Sequence, residues 1–79
     1  MLFLIEYDRS KGVIVSLRSY MDSQRETAQH DRLELELVRH RDGIQHEIVI
    51  LEAENEAAIR RTHGRYFKTL EELAQLPKD

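Results

Sequence analysis

Cysteine is missing from this 79-residue chain, tryptophan is missing too, and there are only one proline and three glycines. Without thiols, neither a disulfide framework nor a thiolate metal site can support the fold. With so few chain breakers, connections are short and most residues are free to enter regular structure. No apolar run approaches the ~20 residues of a membrane span. Neither sign of charge dominates: 12 basic and 15 acidic residues leave a net charge of −3. That excludes whole-chain attraction to nucleic acid or anionic lipid and leaves room only for a local patch. The opening "MLFLIEYD" is apolar, but Glu6 and Asp8 arrive too early for a signal peptide and no basic segment precedes it. A soluble, cytoplasmic protein with no membrane partner is expected.

What is present is a globular composition with a charged surface, read as one small domain over residues 1–79. A chain of this size buries only about 60–65% of its unfolded surface, so self-association is the usual remaining source of stability.

The chain reads as β-β-α-β-α with a C-terminal helical tail. Residues 2–9 form a strand with Phe3, Ile5 and Tyr7 on one face and Leu2 and Leu4 on the other. "SKG" is a turn in which Gly12 takes a positive φ. Residues 13–20 return, with Val13, Val15 and Leu17 on one face and Ile14, Ser16 and Arg18 on the more polar one. A helix follows over 23–42, capped by Ser23 with Glu26 reaching back and ended by Gly43. Its segment "RLELELV", Arg32 to Val38, also alternates as a strand would. Leu and Glu are helix formers, however, and Arg32 and Glu36 stand at helical spacing, which favours the helix. Residues 44–52 make the third strand, with the apolar run Ile48–Leu51 covered on both faces. Asn55 caps a helix over 56–63, and a last helix spans 70–76. The fold class is therefore α+β, a two-layer domain: a three-stranded antiparallel sheet in order 2-1-3 packed on one long helix, with short C-terminal helices.

Apolar faces outnumber the places one copy has to cover them. On the long helix Ala28, Leu35 and Val38 lie on one side, with Leu33 and Leu37 nearly opposite. Leu33 and Leu37, together with Leu2 and Leu4 of the first strand, are the candidates for self-association, with a homodimer as the expected partner state.

"RRTHGRYF" supplies a second candidate. Arg60, Arg61, Arg65 and Lys68 are four cations within nine residues, beside His63, Tyr66 and Phe67. Arginines on phosphates with Tyr66 stacking a base would make a nucleic-acid contact. His63 as general acid/base with Arg65 on a phosphate would make a small ribonuclease. The plainer expectation is that the aromatics and Ile59 close the core while the arginines face water and pair with Glu47, Glu52, Glu54 and Glu56. His30, His40, His46 and His63 are too far apart for a helical ligand pair, so no metal or other cofactor is expected. Glu6 is expected on an outer face near a strand end, and Asp8 in the turn. The favoured function is a non-catalytic interaction module that self-associates; a nucleic-acid-binding domain and a ribonuclease are the alternatives.

Overall fold

In a computed structural model, the structure describes residues 1–67. The expected helix over 70–76, and Lys68, lie outside the described residues. The order is β1 (Leu2–Asp8), β2 (Val13–Tyr20), a 3₁₀ turn (Asp22–Gln24), α1 (Arg25–Arg41), β3 (Glu47–Glu52), α2 (Glu56–Thr62) and a second 3₁₀ turn (Gly64–Phe67). The sheet is antiparallel throughout, in order β2-β1-β3. Residues 32–38 are helical, as their Leu/Glu composition favours, so the strand alternative falls.

Each connection has a local cause. In the β1–β2 turn the Asp8 carboxylate accepts from Ser10 N (3.0 Å), Ser10 Oγ (2.7 Å) and Lys11 N (3.2 Å). Gly12 then takes φ 68° and donates to Asp8 O at 2.7 Å. Gly43 takes φ 71° after α1, with Gly43 N on His40 O and Ile44 N on Arg39 O. That double closure is a Schellman motif. It holds Ile44, so β3 begins at Glu47 rather than 44. Ser23 does not cap α1. The 3₁₀ turn intervenes, and Met21 N donates to the Gln24 side chain at 2.9 Å instead. At α2, Asn55 Oδ1 accepts from Ala58 N at 2.8 Å. Asn55→Ala is expected to cost about 1 kcal/mol of stability, read as a lower urea midpoint at unchanged slope.

β1 is central and nearly all buried, and its two faces feed two clusters. Leu2, Leu4, Tyr20 and Ala28 pack with Ile48 and Ile50 beneath α1. Phe3, Ile5, Tyr7 and Ile59 pack with Val49, Leu51, Tyr66 and Phe67 beneath α2 and the second 3₁₀ turn. The alternation expected for β2 is broken. Glu6 pairs with Ser16 but Tyr7 pairs with Ile14, which leaves Val15 as the extra residue of a bulge. The bulge shifts the pattern by one position, so Ile14 joins Leu17 on the α2 side and Val13 and Val15 are exposed.

Candidate functional site

Leu2 and Leu4 are not available for self-association. They lie buried under α1, because one copy of the chain covers both faces of its own sheet. Val13, Val15, Met21 and Ile44 are exposed in β2 and the connections, and α1 carries a further surplus. Ala28 faces inward and Leu35 is half-buried, whereas Leu33 and Leu37 stand 52% and 60% exposed. One helical turn apart, they form an apolar stripe on the outer side of the helix, with Val38 at its margin.

The basic segment separates into pairs. Arg60 Nη2 donates to Glu56 at 3.0 Å, and its guanidinium lies 4.6 Å over the Phe67 ring. Arg65 Nη2 reaches Glu47 at 3.4 Å, and its guanidinium lies 5.0 Å from the Tyr66 ring. Tyr66 OH donates to the same Glu47 carboxylate, and its ring meets Tyr7 edge-on at 5.1 Å. Burial, followed by that bond to a carboxylate, pushes the Tyr66 hydroxyl above its ordinary pKa. Arg61 is exposed. His63 is half-buried at the end of α2, where its N–H donates to Ile59 O and its carbonyl accepts from Tyr66 N. The aromatics therefore close the core and two of the arginines are matched by acids. A groove of about 410 Å³ lies beside them, floored by Ile14, Leu17, Tyr66 and Phe67, with Glu56 and Arg60 on its rim.

Glu6 departs from expectation. It is 1% exposed, pointing under α1 rather than outward. Arg39 grips it with two bonds, Nε to Oε2 at 2.6 Å and Nη2 to Oε1 at 3.1 Å. His46 Nδ1 sits against the same Oε2, and Ser16 Oγ lies 3.5 Å from Oε1. Burial pushes the Glu6 carboxyl up, but the hydrogen bonds and charges of Arg39 and His46 outweigh it and hold the pKa below the ordinary value. A carboxylate only accepts, so Nδ1 carries the proton. His46 Nε2 faces Asp8 Oδ2 at 3.6 Å, beside an open cavity of about 420 Å³ bordered by Arg9, Ser10 and Glu47. Both ring nitrogens thus face carboxylates of the protein itself. This is a latch between β1, the end of α1 and the start of β3, in which Arg39 matches the buried charge of Glu6. Among the described residues no group of three or more His, Asp or Glu side chains is placed to hold a metal ion.

These features define a small α+β domain with a satisfied polar latch, paired cations and an unpartnered helix stripe. Among the described residues no helix is long and apolar enough to cross a membrane. No protein-family model matches the chain, and no curated protein or solved structure shows significant similarity to it.

Proposed function

We propose that this domain is a non-catalytic interaction module that associates with a second copy of itself. The observation that carries this reading is the exposure of Leu33 and Leu37 on a helix whose opposite side is already committed to the sheet. Exposed leucines one turn apart are the kind of surface that a partner of the same chemistry covers. The pairing of Arg60 with Glu56 and of Arg65 with Glu47 weakens the nucleic-acid alternative, because a phosphate would have to displace bound carboxylates. The ribonuclease alternative is weakened because, among the described residues, the His63 side chain has no hydrogen-bonded or ion-paired partner to act with it.

Sedimentation equilibrium tests the reading. A dimer is expected at micromolar concentration. Leu33→Glu with Leu37→Glu is expected to weaken it at least about tenfold, roughly 1.4 kcal/mol, while leaving the far-ultraviolet spectrum unchanged. A wild-type chain that stays monomeric at hundreds of micromolar overturns the proposal.

A further inference from the structure

Building on that reading of self-association, we propose that the second copy docks edge to edge on β3. The two three-stranded sheets become one six-stranded sheet about a twofold axis at Val49. The sheet has two edges, and they are built differently. β2 carries a bulge at Val15 and the polar run Ser16, Arg18 and Ser19, which are the ordinary means of blunting an edge. β3 carries Ile48, Val49, Ile50 and Leu51 without a bulge, a lysine, a proline or a glycine.

The backbone of β3 is also poised for pairing. Ala53 N donates to Met1 O, so the inward-bonding positions run Ala53, Leu51, Val49 and Glu47. Strict alternation turns the N–H and C=O of Ile48, Ile50 and Glu52 to the outside, where no described residue forms a further strand.

A twofold axis perpendicular to the sheet keeps both α1 helices on one side and sets residues of like face opposite each other. Centred on Val49, it places Ile48 opposite Ile50 of the second copy, with backbone bonds exchanged. It also places Glu52 opposite His46 and Glu47 opposite Leu51, so no two glutamates oppose. Centred on Ile50 instead, it sets Glu52 against Ile48 and loses the Ile48–Ile50 match.

The position of α1 agrees with this arrangement. It packs chiefly on β1 and β3, and meets β2 at its Tyr20 end, where Tyr20 OH donates to Asp31 at 2.6 Å. With strands about 4.8 Å apart, a helix over the β1–β3 boundary comes to lie about 10 Å from its symmetry mate, the separation of packed helices. The flank turned toward the mate is the one from which Arg25 reaches Glu52 of β3, and it carries Arg32, Leu33 and Glu36. There the Nε of Arg32 is shut off from solvent without a hydrogen-bond partner among the described residues, with Glu36 of its own helix 3.9 Å away. An antiparallel mate offers Glu36 of the second copy to that guanidinium and covers Leu33.

The experiment is a mixed sample of isotope-labelled and unlabelled full-length chain. A nuclear Overhauser effect between Hα of Val49 in one copy and Hα of Val49 in the other is expected. So is an exchange rate for the Ile48, Ile50 and Glu52 amides that falls at least about tenfold on going from dilute monomer to dimer. A dimer lacking the cross-peak, with those three amides exchanging at the monomer rate, overturns the edge pairing and leaves self-association standing. A chain monomeric at every concentration overturns both.

Discussion

Arg39→Met is expected to lower the stability of this domain by about 3 kcal/mol, seen as a large drop in urea midpoint. Glu6 is buried, and Arg39 supplies both a full charge and two of its hydrogen bonds. Removing one partner of a buried pair leaves an uncompensated charge, which typically costs 3–5 kcal/mol. The low end applies because His46 stays on the same oxygen and the arginine itself is partly solvated. A 79-residue domain has a total stability of roughly 4–12 kcal/mol, so the variant sits close to unfolding. Replacing both partners with Met removes the charge together with its counter-charge, and the double variant is expected within about 1 kcal/mol of the parent. The acid limb carries the same information. The folded state holds the Glu6 pKa below its ordinary value of 4.5, so the unfolded chain takes the proton first. Stability from this group is complete above that value and is lost as pH falls through the lower folded value. The double variant is expected to show a shallower loss in that range. A loss below about 1 kcal/mol in Arg39→Met would mean that Glu6 is not closed off from water as described.

The visibility of each feature in the sequence follows from how local its cause is. Gly12, Gly43 and Asn55 act within four residues of themselves, and each stands where its chemistry predicts. The two faces of β1 follow from its alternation, and the sheet order follows from a hairpin joined to a helical crossover. The Glu6 latch has no local signature, because its partners are 33 and 40 residues away. Two signs of it were nevertheless present. An acid sat in a strand that was apolar on both faces, and Arg39 lay on the same inward row of the helix as Ala28 and Leu35. A cation on that row and an acid in that strand each call for a partner, and they partner each other. The bulge at Val15 left no comparable trace, since Val13–Leu17 alternates acceptably in either phase. Leu2 and Leu4 were misplaced for a related reason. Composition counts apolar faces, but only the fold reveals that α1 covers one and that α2 with the second 3₁₀ turn covers the other.

Ile59→Ala is expected to cost about 3 kcal/mol, and to spread that cost unevenly. Ile59 is the only described residue of α2 that is fully buried, and it seats the helix on Phe3, Ile5 and Tyr7. A seven-residue helix cannot persist by itself, because nucleation outweighs what one or two turns return. Once the isoleucine is truncated, Tyr66, Phe67 and the exposed Arg65–Glu47 pair are what still hold this layer to the sheet among the described residues. The α2 layer is therefore expected to open before the sheet does. Amides within α2 and at His63, which donates to Ile59 O, lose exchange protection, while those of β1 stay near their parent values. Ile59→Val, which keeps most of the volume, is expected to cost about 1 kcal/mol with protection at His63 retained. Arg60→Ala, which removes an exposed pair with Glu56, is expected to change stability by less than about 0.5 kcal/mol. The reverse ranking, with Arg60→Ala more damaging than Ile59→Ala, would mean that charge rather than burial holds the "RRTHGRYF" segment in place. The core reading of that segment would then give way to one in which its cations are structural.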